Sequence, residues 1–181
     1  MKTIAGLAVA AAVLVGGAAA RAQDAPKMPA PQKEHAWLKQ LEGEWVIEGE
    51  GVVEPGKPPV RSKGTETVRT LGGFWSVAEM TGDCMGTPVT GVMTIGYDAQ
   101  KKKYVGTWVC SMCDWLCQYE GTVDGNVLTL NTEGPHLVTG KLVKMRDVIE
   151  VKDKDHKVFS SAIEKDGKWV THMTISYTRK K

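Results

Sequence analysis

From Gly43 onward the chain alternates apolar and polar residues in short runs, broken at closely spaced turn signals. The last run is the clearest. Trp169, Thr171, Met173, Ile175 and Tyr177 fall on one face, and Val170, His172, Thr174 and Ser176 on the other. A period of two puts successive side chains on opposite faces of a strand. Turn chemistry interrupts the pattern at Glu54–Lys57, Leu71–Gly73, Gly82–Thr87, Asp98–Lys102, Asp124–Gly125, Thr132–His136, Lys152–Asp155 and Asp166–Gly167. The two Asp-Gly pairs, each between β-rich runs, are strong hairpin signals. The spacing predicts about ten strands and leaves no room for the helical crossovers that parallel strands need.

One stretch ahead of the strands has a different period. In "PQKEHAWLKQL", Trp37, Leu38 and Leu41 share a helical face and Pro31 suits a first turn. The predicted fold is therefore all-β: an antiparallel up-and-down β-barrel of about ten strands with one short N-terminal helix. A barrel is preferred to a sandwich because that helix can plug one end and closure leaves no exposed edge strands. Residues 33–181 form this domain, preceded by the Pro-rich, polar leader 23–32.

Residues 1–22 read differently again. Lys2 precedes an apolar run from Ile4 to Ala20, and Ala20-Arg21-Ala22 is a small-x-small cleavage site, with Gln23 as the mature start. This is the pattern of a secretory signal peptide, so the expected location is periplasmic or extracellular, with no membrane association after cleavage. Losing Lys2 and Arg21 takes the 23 basic side chains to 21, equal to the 21 acidic ones. With no net charge or basic stripe, nucleic acid is not an expected partner.

Several segments resemble a bacterial family known as domain of unknown function 1579, lipocalin-like (calycin) in fold. They are "EHAWLKQLEGEW", "GTETVRTLGGFW", "GVMTIGYDAQKKKYVGTWVCSM" and "ISYTRK", spanning about residues 33–179. "GEW" (Gly43, Glu44, Trp45) is similar to the G-x-W element at the start of the first lipocalin strand. The resemblance implies that a late basic residue, here Arg179, packs over that tryptophan. It implies no activity and no catalytic set. Many relatives carry an acidic residue where Cys110 stands, so the cysteine chemistry is not implied by the family.

The cysteines are the densest chemical signal. "CSMCDWLC" holds Cys110, Cys113 and Cys117, and Cys84 lies upstream in "GDCMG". In an antiparallel barrel the Cys84, Cys113 and His136 turns share one rim. An even cysteine count in an exported chain favours disulfides, with Cys84–Cys113 and Cys110–Cys117 the preferred pairing and no metal. The alternative is a soft-metal site, with Zn or Cu(I) on the four thiolates, or a thiol-redox pair at Cys110 and Cys113.

No G-x-S-x-G, H-E-x-x-H or Walker-type motif occurs, and His35, His136, His156 and His172 form no recognisable catalytic group. Small closed barrels are either filled by side chains or hold one small ligand. The expected function is binding of a small hydrophobic or amphipathic ligand, without catalysis. Trp45, Trp75, Met93 and Trp108 are the candidate lining and Glu79 the candidate polar anchor, partnered by Arg69 or by the ligand.

Overall fold

A computed structural model describes residues 28–52, 58–84, 86–136 and 139–181, with Cys84 described by its backbone alone. The predicted signal peptide and the Glu54–Lys57 turn lie outside the described residues. Helix α1 (Lys33–Leu38) and a 3-10 turn (Lys39–Leu41) lead into ten strands. These are β1 (Gly43–Gly51), β2 (Val60–Leu71), β3 (Trp75–Cys84), β4 (Thr87–Asp98), β5 (Lys103–Cys110), β6 (Cys117–Asp124), β7 (Val127–Pro135), β8 (Leu142–Val151), β9 (His156–Lys165) and β10 (Lys168–Arg179). Each pairs antiparallel with its chain neighbour, and β1 also pairs with β10, closing the barrel. The predicted up-and-down barrel is the fold.

Turn chemistry sets the hairpins. Asp166 and Gly167 take φ of 52° and 73° between β9 and β10, the positive values that the favoured two-residue hairpin turn demands.

Helix α1 closes one end. The Tyr104 hydroxyl donates to the Glu34 carbonyl and Trp37 Nε1 to the Gly125 carbonyl, both at 2.9 Å. His35 is buried edge-on against Phe74 and Tyr97, and its Nδ1 accepts from the Gln32 amide. Above this plug the core holds Trp45, Leu128 and Leu130, with essentially no exposure. Full burial of one such leucine contributes roughly 1.5–3 kcal/mol. The opposite end, called the rim here, carries the β3–β4, β5–β6 and β7–β8 connections, as their strand directions require.

Register decides which face of each strand lines the interior. Trp45 pairs with Glu66 and Glu66 with Met80, so Ala78 and Met80 face inward with Trp45. Trp75, Val77 and Glu79 consequently face outward, which corrects the lining role expected of Trp75 and Glu79. Both faces of β3 are apolar, so its own sequence could not choose between them; pairing to the Trp45 strand did. Strand β10 gives a second correction. Its register shifts between Thr171 and Met173, so Trp169 pairs with Glu164 on the outer face while Met173, Ile175 and Tyr177 face in. A bulge inserts one residue and reverses the alternation beyond it.

Candidate functional site

The interior has two halves of different chemistry. Near the helix end, the buried Lys157 ammonium is paired with Glu66 and lies 4.6 Å from the centroids of both the Trp45 and Tyr177 rings. Burial lowers the Lys157 pKa, and Glu66 opposes that shift. Trp45 Nε1 donates to the Leu41 carbonyl at 2.9 Å. This floor satisfies Lys157, Glu66 and Trp45 Nε1 within the protein.

The rim-side half does not. Asp147 of β8 is 6% exposed, and its Oδ2 accepts from the Tyr119 hydroxyl of β6 at 2.7 Å. Burial raises the carboxyl pKa, an effect that the neighbouring Ser161 of β9 and Tyr119 oppose. The same burial, with the neighbouring Asp147 charge, pushes the Tyr119 phenol far above 10. Among the described residues, Asp147 Oδ1 is buried with no hydrogen-bond partner, and so are Thr132 Oγ1, Trp115 Nε1 and His172 Nε2. Cross-strand register places these groups together. Asp147 pairs with Leu130, two residues from Thr132 on the same face of β7, and with Ser161, which pairs with Met173 beside the His172 bulge. Burial, and then the nearby His136, keep the His172 imidazole pKa low.

Facing this polar wall is an apolar one. Met93 of β4 pairs with Trp108 of β5, both inward-facing and packed against the core. Gly91 leaves room for the Trp108 ring, because a Cβ there would stand 2.1 Å from a ring carbon.

The wall also has a seam. The β6–β7 ladder runs only from Glu120–Asn131 to Asp124–Val127, so Cys117–Tyr119 and Thr132–Pro135 are not paired with each other. An open crevice of about 440 Å³ lies there, lined by Gln118, Asn131, Thr132, Lys144, Met145 and Trp169. Trp115, from the β5–β6 loop, covers the rim end of the seam. Its Nε1 would stand 3.0 Å from a Cβ on Gly134 of β7.

Of the residues expected from sequence to line a site, Met93 and Trp108 come together inside the barrel, whereas Trp45 belongs to the fully buried floor. Trp75 lies on the outer wall, its ring over Gly96. Glu79, also outside, is 3.7 Å from Arg69 in a pair that is more than half exposed. Arg69 is thus the Glu79 partner, but the pair cannot anchor a lumenal ligand.

Cys110, Cys113 and Cys117 are free thiols, with the Cys110 and Cys113 sulfurs 3.2 Å apart. The expected Cys110–Cys117 bridge is not formed, because the turn that brings the Cys113 amide to the Cys110 carbonyl carries Cys113 toward Cys110 instead. The β3–β4 register ends at Cys84–Thr87, so the Cys84 backbone lies at the rim; its expected partnership with Cys113 concerns a side chain outside the described residues. Among the described residues no group of three or more His, Cys, Asp or Glu side chains is placed to hold a metal ion.

Asp147, Tyr119, Thr132 and Trp115 were missed in the sequence, though a signal existed. In "KMRDVIEV", Asp147 shares parity with Met145, Ile149 and Val151, marking a lone carboxylate on an apolar face.

A closed antiparallel barrel with a helical plug and a G-x-W first strand is lipocalin-like, of the calycin type. Residues 30–179 match the model of a protein family of unknown function, DUF1579, and the chain belongs to that family. No curated protein matches it. Among solved structures it is similar to Rv2717c from M. tuberculosis, with a TM-score of 0.59 at 14% identity over 84% of this chain and 100% of that one. It is also similar to the S-type phycobiliprotein lyase CPES from Guillardia theta, with a TM-score of 0.55 at 13% identity over 83% and 99% of the two chains. At such identities the likeness establishes the fold alone.

Proposed function

We propose that this chain is an exported lipocalin-like binding protein that takes a small apolar or amphipathic molecule into the rim-side half of its barrel. The observation that carries this reading is the contrast between the two interior walls. Met93 and Trp108 offer apolar surface, while four buried polar atoms opposite them lack partners. Buried polar atoms without partners are costly in a folded protein, and a ligand polar group would offset that cost. A mostly apolar pocket with a few convergent polar groups is the usual form of a small-molecule site. Export rests on the residue 1–22 pattern.

The test is native mass spectrometry on protein recovered from the exported fraction, with titration of the fluorescent amphiphile N-phenyl-1-naphthylamine. The expected results are a small-molecule adduct lost on denaturation, and saturable probe binding weakened in Trp108→Ala. Absence of both would overturn the reading.

The Cys110–Cys113 contact favours a second, thiol-based reading in which this pair, with or without Cys84 and Cys117, closes a disulfide or takes a soft metal. Burial, then the Cys110 thiol beside it, pushes the Cys113 pKa to about 12, which disfavours the thiolate that either chemistry needs. Thiol titration with elemental analysis separates the readings. Free thiols without metal would overturn the thiol-based one.

A further inference from the structure

The rim-side half of the barrel holds a carboxyl group with no ion-pair partner among the described residues. Among the described residues, Asp147 accepts from the neutral Tyr119 hydroxyl and its Oδ1 has no hydrogen-bond partner. Lys157, the one buried lysine or arginine among the described residues, is paired with Glu66 and lies four residues from Ser161 along β9, toward the helix end. Among the described residues, Thr132, Trp115 and Cys117 on this side of the interior bring no positive charge, and burial disfavours a charged His172 imidazole. A carboxylate taken out of water requires a paired cation or a proton. Trp108, Trp115 and Tyr119 add aromatic surface, which attracts cations over ring faces. The seam between β6 and β7 opens beside Thr132 and Met145, on the same side of the barrel.

We infer that the ligand is an amphiphilic amine, whose ammonium end pairs with Asp147 Oδ1 and whose apolar body lies toward Met93 and Trp108. This rests on the ligand-binding reading above and adds the chemical class of the ligand. A carboxylate of the same length would set two negative charges together, and an alcohol would supply a hydrogen bond without charge. The site therefore ranks amine above alcohol above acid.

The test is calorimetric titration of the full exported chain at pH 7.5 with decylamine, 1-decanol and decanoate. The expected result is at least tenfold tighter binding of decylamine than of 1-decanol, with decanoate weakest. Asp147→Asn should abolish the preference for decylamine over 1-decanol, whereas Tyr119→Phe, which keeps the carboxylate, should retain it. Equal binding of all three probes, or an amine preference that survives Asp147→Asn, would overturn the inference and leave the binding reading standing. Failure of all three to bind would overturn both. Should Asp147→Asn not fold, the amine-to-alcohol ratio of the unsubstituted protein and of Tyr119→Phe decides the question.

Discussion

Arg179 covers Trp45: its guanidinium carbon stands 4.1 Å from the ring centroid, at the helix end of the barrel. Its nitrogens donate to the Glu42, Gln40 and Lys154 carbonyls, tying the last strand to the segment before β1 and to the β8–β9 turn. The glycine of the G-x-W element is what permits this. A Cβ on Gly43 would stand 2.1 Å from an Arg179 nitrogen, and Gly43 has a φ of 126°.

Gly43→Ala should therefore destabilise the barrel by about 1–3 kcal/mol, the usual cost of one residue held in a sparsely populated backbone region. Arg179→Ala should also destabilise it. The double substitution should cost less than the two singles together, since removing the guanidinium relieves the clash but not the backbone strain. Urea denaturation of the four proteins checks this, and strict additivity would contradict the proposed contact.

The Lys157–Glu66 pair sits deep under aromatic rings, with the two side chains only 6% and 11% exposed. Lys157→Met leaves Glu66 buried without its cation and should cost about 3–5 kcal/mol. Glu66→Leu added to it removes the orphaned charge and should recover most of that loss. Thermal melts of single and double variants give the comparison.

Asp147 predicts a pH effect of definite sign. Its carboxyl is held above the ordinary 3.8, so the folded chain binds this proton more tightly than the unfolded chain. The associated stability is fully present below the unfolded value and is lost as pH rises through the raised folded value. Asp147→Asn should remove that dependence. We expect the ligand-free variant to match the parent near pH 3.5 and to exceed it at pH 7.5 by about 1–3 kcal/mol, a typical cost of a buried, incompletely paired polar group. His172, whose pKa is lowered, contributes with the opposite sign: stability is lost as pH falls below 6.5. The difference between variant and parent across pH cancels that term.

These predictions rest on features of unequal legibility in the sequence. Hairpins were readable because turn residues act locally, and Asp166-Gly167 adopts the backbone its chemistry favours. The resemblance placed Arg179 over Trp45, and the contact is present. The inward face of β3 was not readable, because either parity would bury apolar side chains and only pairing to β2 excludes Trp75 and Glu79. The bulge at His172 was equally hidden, since the alternation around it continues unbroken in the sequence. The polar wall was half-visible: its strand members share parity with apolar neighbours, but only the register of the neighbouring strands from β6 to β10 brings them to one site.

Trp115 supplies a test of the seam that needs no ligand. It projects from the short loop between Cys110 and Cys117 to Gly134 and Met145, covering the stretch where β6 and β7 run unpaired. Beneath this cover Cys117 is 7% exposed, and burial raises its pKa. A Cβ on Gly134 would stand 3.0 Å from the indole nitrogen and 2.9 Å from the Met145 methyl carbon, so a branched side chain there must displace one or both. Gly134→Val should accordingly swing the indole outward and open the rim end of the seam. Two signals should change together: tryptophan emission should shift to the red, and Cys117 should react with iodoacetamide severalfold faster, as resolved by peptide mass mapping. Trp115→Ala should accelerate the same alkylation with far-ultraviolet dichroism unchanged. Unaltered Cys117 reactivity in both variants would mean that the β6–β7 seam is closed by something other than this side chain.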